Sequence, residues 1–284
     1  MNDIIQILDT DTYEKGKMIA RSTQVNMLRQ MVRMRQLDGA LNKALQRGLL
    51  SAFLSQQGRE AFHVGVAFGL KKGDWLFPGS TSLLHKGLPL HGEQSGIEVV
   101  QPASPGASRL VHANGTAWAA KLRGDKSVSC TTFGESIANQ DNFHVALNFA
   151  GVHQTPALFI CMVTGPYVDT AGGSVASRGI TYGMPAIQVD GTDVIAMQKV
   201  TSEAARKARN GKGPTLIEAI WHNESANETP SERLARHLAE PLEEHAFSDE
   251  ELQHAVTAAL ELWGAPDPLD CVYGDGAHAL NGGE

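Results

Sequence analysis

The sequence predicts an α/β protein built on a mainly parallel sheet with helices on both faces. Three observations predict it. Beyond residue 110, β-prone apolar runs alternate with helical segments, the pattern of strand–helix–strand units. Glycine is abundant, with 29 among 284 residues, which suits many tight strand–helix turns. Hydrophobic residues make up 42% and charged residues 19%, a globular composition and not a disordered one. The expected division is an N-terminal arm over 1–20, one domain over 21–265 and a polar tail over 266–284.

The elements follow in order. Residues 1–20 are polar and are expected to form a loose arm. From Ser22 to Arg47, Leu28, Met31, Val32, Leu37, Leu41 and Leu45 recur at helical spacing, and Gly48 ends the helix. Glu60 to Leu70 reads as a second helix, and Lys71 to Asp74 as a turn. Residues 86–108, rich in Gly, Pro, Ser and Gln, read as a surface loop. Leu110 to Leu122 is helical and Ser127 to Phe133 β-prone. Gly134 is expected to open a turn into a helix over Asn139 to Val152. Ala157 to Val163 is an apolar strand, followed by a glycine-rich stretch from Gly165 to Gly179. Ala186 to Val189 and Thr215 to Trp221 are further strands, separated by an amphipathic helix over Asp193 to Arg209. Ser248 with Glu251 forms a capping box that starts a helix through Trp263. The four β-prone runs are expected to be neighbouring parallel strands.

Composition excludes several functions. With 31 acidic against 24 basic side chains the net charge is -7, so nucleic acid is not an expected partner. The longest apolar run, Ala157 to Val163, is far short of the ~20 residues of a membrane span. The acidic start Met1-Asn2-Asp3-Ile4 is not expected to be a signal peptide, and Cys130, Cys161 and Cys271 form neither a zinc pattern nor a disulfide framework. A cytoplasmic location is expected. The scattered histidines include no metal motif. His237 and His245 are expected on exposed helix faces, and His112 and His144 in core or surface roles. Gly274-Asp275-Gly276 lacks a preceding strand and reads as a decoy.

In a parallel sheet, ligands bind at the carboxyl ends of strands, where a turn leads to a helix N-terminus. Thr132-Phe133-Gly134-Glu135-Ser136 is the best candidate. Glu135 could hold a divalent metal, or could simply be an acid favoured by a helix dipole.

Further motifs carry a resemblance: Met31-Val32-Arg33-Met34-Arg35, Gly58-Arg59-Glu60-Ala61, Gly73-Asp74-Trp75-Leu76-Phe77-Pro78 and Phe143 to Ala150. The most specific are Tyr182-Gly183-Met184-Pro185, Val189 to Val194, and Ala208 to Ala219. On these, roughly residues 25–255 resemble the alpha subunit of the decarboxylating component of 2-oxo acid dehydrogenase complexes. The resemblance implies a thiamine-diphosphate-binding fold, with thiamine diphosphate and magnesium as cofactors. It also implies a beta-type partner, in an assembly of two alpha and two beta chains. The chain alone is expected to be a dimer or poorly behaved.

The site departs from the family pattern. Glu135 and Ser136 follow Gly134 where the family has Asp and Gly. Val163 stands at the metal-ligating Asn, with Thr164 beside it. Ser80 and Thr81 replace the Tyr-Arg pair that grips the diphosphate. Asn223 to Pro230 lacks the family's active-site His. The resemblance therefore implies a cofactor site formed by Gly134, Glu135, Ser136, Ser80, Thr81 and Thr164, with Glu135 as the metal residue. Two functions are expected from it. The favoured one is a degenerate alpha-type subunit, a pseudoenzyme with weak or no cofactor binding and a structural or regulatory role. The alternative is an active subunit in which Glu135, Thr164 and a backbone carbonyl hold the metal for acyl or ketol transfer.

Overall fold

The computed structural model describes residues 4–10, 19–50, 53–79, 96–100, 106–164, 173–221 and 228–264. Its centre is a six-stranded sheet in the order β2-β1-β3-β4-β6-β5. The strands are β1 (Trp75–Phe77), β2 (Glu98–Val99), β3 (Ser129–Gly134), β4 (Ala157–Thr164), β5 (Ala186–Asp190) and β6 (Thr215–Trp221). Every neighbouring pair is parallel. The four expected runs therefore lie side by side as β3, β4, β6 and β5. The edge strand β2 lies inside 86–108, which the sequence presents as loop. Two residues carry no periodicity, and β2 forms because Glu98 N donates to Asp74 O (2.9 Å) and Val100 N to Leu76 O (2.9 Å).

Eight helices are described: α1 (Arg21–Gln46), α2 (Glu60–Gly69), α3 (Ser108–Arg123), α4 (Asp141–His153), α5 (Val175–Thr181), α6 (Val194–Arg209), α7 (Pro230–Leu238) and α8 (Asp249–Gly264). The helix α5 begins within the glycine-rich stretch and runs two residues past it. Side-chain alternation along the sheet sorts the rest. Leu158 and Ile160 of β4 enter one core with α1, α2, α6, α7 and α8. Ala157, Phe159, Cys161 and Val163 enter the other, with α3, α4 and α5. Each of the Leu, Ile, Phe and Val side chains among them contributes roughly 1.5–3 kcal/mol on burial.

Two glycines explain how α2 reaches the sheet region. A Cβ on Gly65 would lie 2.4 Å from Met197 Cβ, and one on Gly69 would lie 2.5 Å from Thr201 Cβ. The pair one helical turn apart lets α2 and α6 touch backbone to side chain. Capping boxes start α7 through Thr229 and Glu232, and α8 through Ser248 and Glu251. Asp193 caps α6 by accepting from Ala196 N at 2.9 Å.

Residues 4–10 are not loose, against the expectation for the arm. Ile5 bridges Val189 in parallel, extending the β5 edge. Ile7 and Leu8 are buried, and their N–H groups both donate to Asp193 Oδ2 at 2.7 Å. A buried carboxylate needs such donors, and the arm supplies them. Asp9 then meets Arg233 (2.7 Å), Arg236 (3.1 Å) and His237 (2.7 Å). His237 is thereby engaged and mostly buried. His245 is buried at 5% exposure in a 3-10 turn against α1, not on an exposed helix face.

At the other end of the sheet, Asp74 is fully buried and receives Arg209 in a bidentate pair (2.7 and 2.8 Å), plus N–H bonds from Val128 and Lys71. It ties the turns before β1 and β3 to the end of α6. Replacing Arg209 by Met leaves that carboxylate without its cation. The expected loss is about 3–5 kcal/mol, read as a lower urea midpoint at unchanged slope.

Burial acts to raise the Asp9 pKa, and hydrogen bonds from Arg233, His237 and Arg236 outweigh it, holding it at about 2. A depressed folded-state pKa means the contribution is present above the unfolded value near 4 and disappears as pH falls toward 2. Between those pH values the Arg233, Arg236 and His237 contacts to Asp9 lose their anion, and the urea midpoint of the native chain should fall more than that of Asp9→Asn.

Candidate functional site

The strand order reverses between β1 and β3, because the chain passes from β1 outward to β2 and returns on the other side of β1. Crevices of this kind, at the carboxyl ends of parallel strands, are where such sheets hold ligands. The candidate residues Gly134, Glu135 and Ser136 sit there, at the end of β3. Ser80 and Thr81, immediately after the β1 end, lie outside the described residues, as do most of the loop after β6 and the Gly274-Asp275-Gly276 triplet.

Gly134 differs from its expected role. It is part of β3, paired with Met162, with extended backbone (φ -89°, ψ 164°), and a Cβ there would meet nothing within 4 Å. The turn thus does not require glycine. Glu135 opens a 3-10 turn, Glu135–Asn139, and α4 begins only at Asp141. Six residues separate Gly134 from the helix start, so the α4 dipole is displaced from the strand end. Arg178 holds the 3-10 turn by donating to Ala138 O and to Asn139 Oδ1 (2.9 Å).

The structure brings Glu135 and Thr164 together. Thr164 Oγ1 donates to Glu135 Oε1 (3.1 Å) and Thr164 N to Oε2 (3.2 Å), so one carboxylate joins the ends of β3 and β4. Val163 is 2% exposed and packs with Phe159 and Cys161 under α4. Alternation along β4 directs Val163 into the core and leaves Thr164 exposed. Burial pushes the Cys161 thiol far above its usual range, and Cys130 likewise, so neither is a nucleophile. Among the described residues no group of three or more His, Cys, Asp and Glu is placed to hold a metal ion.

One residue at the crevice escaped the sequence reading. Arg109, in the first turn of α3, donates to Pro78 O (3.0 Å) and Gly106 O (3.1 Å) beside Gly79. Gly79 N in turn donates to Thr132 Oγ1 of β3 (3.0 Å). Arg109 has no carboxylate partner among the described residues, and burial lowers its pKa. The available signal was an arginine opening a helix straight after a Pro- and Gly-rich loop.

Several shared motifs have structural work. Trp221 Nε1 donates to Gly58 O (2.9 Å), and Arg59 lies over its ring at 5.2 Å. Glu60, buried, pairs with Arg35 at 2.9 Å. Glu218 accepts from Ala176 N at the start of α5 (2.9 Å) and from Gln188 Nε2 (3.2 Å).

Residues 85–225 match the family described as Dehydrogenase E1 component. The 2-oxoisovalerate dehydrogenase subunit alpha of Bacillus subtilis is 31% identical over 258 residues, covering 79% of this chain and 78% of that one. The chain belongs to the dehydrogenase E1 component family, on its alpha-subunit side. The 3-methyl-2-oxobutanoate dehydrogenase subunit alpha of Mycobacterium tuberculosis is 33% identical over 261 residues, 84% of this chain and 66% of that one. The chain thus spans about two thirds of that relative's length. Among solved structures, benzoylformate decarboxylase from Polynucleobacter necessarius aligns over 58% of this chain and 33% of its own, at 17% identity and a TM-score of 0.44. No helix among the described residues is long and apolar enough to cross a membrane.

Proposed function

We propose that this E1 alpha-type chain pairs with a beta-type subunit, two of each, and has lost most of its family's thiamine diphosphate and magnesium binding. Its role is then structural or regulatory within the assembly, in the cytoplasm. The observation that carries this is the closed Glu135–Thr164 contact beside a buried Val163. Magnesium demands near-octahedral oxygen ligands. Here the residue beside Thr164 is an apolar core side chain, and an N–H, a donor, points at one oxygen of the single carboxylate. Those residues do not fit a magnesium ion. Without a metal, the Glu135 charge repels a diphosphate, which must also leave water. The displaced α4 N-terminus weakens the other attraction, since dipole effects fade within the first turn.

A second reading is favoured by a specific observation. Thr164 Oγ1 and Glu135 Oε1 are neighbours, as shared ligands would be, and Arg109 is a desolvated cation at the same crevice. On that reading the chain is an active subunit with rebuilt ligation, carrying out 2-oxo acid or ketose decarboxylation with acyl or ketol transfer.

Titration calorimetry with thiamine diphosphate and magnesium, with and without a beta-type chain, separates the two. The degenerate subunit gives no heat or binding weaker than millimolar. Micromolar binding abolished by Glu135→Gln contradicts it and supports rebuilt ligation. The double change Glu135→Asp with Val163→Asn should improve affinity only slightly, because Ser80, Thr81 and the loop after β6 keep their substitutions.

A further inference from the structure

In a parallel sheet the turns that enter the strands and the C-termini of the crossover helices share one edge, opposite the ligand crevice. Here that amino edge collects cations. Lys71 and Lys72 stand in the turn before β1, and Lys126 in the turn before β3. Lys121 and Arg123 end α3, and Arg206, Lys207 and Arg209 end α6. Lys212 lies in the turn before β6. Hydrogen bonds tie these turns into one surface. Arg209 donates to Lys126 O and grips Asp74, whose Oδ2 also accepts from Lys71 N at 2.8 Å. Lys212 N donates to Lys207 O at 3.1 Å. Lys121 Nζ donates to His153 O at 2.6 Å, and the neighbouring Gln154 side chain lies against Gly213, next to Lys212. Nine of the chain's 24 Lys and Arg are thus gathered at this edge, and all but Arg209 are exposed. Carboxylates among them are few. Asp74 is buried on Arg209, Asp125 pairs with Arg123 at 2.8 Å, and Glu98 and Glu203 are exposed. Attraction to helix dipoles accounts for cations in a last turn, but it fades beyond that turn. It does not account for Lys71, Lys72, Lys126 and Lys212, whose ammonium groups make no hydrogen bond or ion pair among the described residues. Crowding like charges costs stability, and it stands out in a chain with a net charge of -7.

We propose that this amino edge docks a contiguous segment rich in Asp and Glu on a separate partner protein. The inference does not depend on the chemistry of the carboxyl edge, which lies at the opposite end of every strand. Two features select a short acidic protein segment over other polyanions. First, the patch is local. The rest of the chain carries a large excess of acid, so a nucleic acid or an anionic bilayer extending past the patch meets repulsion there. A segment of a few carboxylates stays within it. Second, the charges are mostly ammonium groups. Six of the nine are Lys, and Arg123 and Arg209 are already held by carboxylates. Only Arg206 is left to offer the planar fork that matches phosphate oxygens bidentately. An ammonium is a point charge that meets a carboxylate from many directions, which suits a flexible acidic segment.

The test is fluorescence anisotropy of a labelled decaglutamate peptide titrated with the full chain at low ionic strength. The peptide should bind, and raising the salt from about 0.05 to about 0.3 M should weaken binding about tenfold. Lys71→Glu with Lys126→Glu and Lys212→Glu should weaken it about tenfold or more, with unchanged circular dichroism. The milder set Lys71→Gln, Lys126→Gln and Lys212→Gln should weaken it about threefold. As the control, Arg29→Glu with Lys43→Glu and Arg47→Glu on α1 changes the net charge equally and should leave affinity within about twofold. An oligothymidylate and phosphatidylglycerol vesicles should bind at least about tenfold more weakly than the peptide. Failure of decaglutamate to bind overturns the proposal. So does an equal loss in the two charge-reversed sets, since net charge alone then governs binding. Tighter binding of the oligothymidylate or the vesicles, or displacement of the peptide by a beta-type chain, also overturns it.

Discussion

A parallel sheet must be covered on both faces, and that constraint governs everything else in this structure. In β4 it divides seven residues between two cores, one side chain at a time. Leu158 and Ile160 face α1, α2 and α6, while Phe159, Cys161 and Val163 face α3, α4 and α5. A one-residue slip would exchange the two sets, so the strand end has no freedom. Val163 must fill a core position, and Thr164 becomes the first residue free of both cores. The carboxyl edge of the sheet inherits its chemistry from that count.

The Glu135–Thr164 contact follows directly. Thr164, exposed at the strand end, offers Glu135 both its N–H and its hydroxyl. The same edge is shaped by pieces that never touch a ligand. Arg178 fixes the turn after Glu135, Glu218 fixes the start of α5, and Trp221 with Arg59 and Gly58 fixes the approach to α2. A chain can thus keep its family's scaffold motifs for packing and hydrogen bonding while its ligand positions change.

Much of the fold was legible because its signals are local. The runs that became β3 to β6 are β-prone, and Gly134, Gly165 and Asp190 stand at or just past the ends of three of them. The helices α1, α3, α4, α6 and α8 show periodicity or caps within one or two residues of their observed ends. What was not legible depends on distant partners. The β2 strand exists only through the backbone of Asp74 and Leu76. The N-terminal segment is docked by Asp193, nearly two hundred residues away, and by Arg233. His245 is buried by α1, which no local pattern announces. At the site, sequence placed Glu135 and Thr164 in one group, but their direct contact and the nearby guanidinium of Arg109 required the three-dimensional crevice. Ser80 and Thr81 lie outside the described residues.

The central proposal is that Glu135 is satisfied by Thr164 and does not hold a divalent cation. Electron paramagnetic resonance of manganese(II), titrated into the chain with thiamine diphosphate present, tests it most directly. The account predicts that the free-ion signal persists undiminished with Glu135 and with Glu135→Gln alike. Loss of the free-ion signal at micromolar protein, restored by Glu135→Gln, would contradict it.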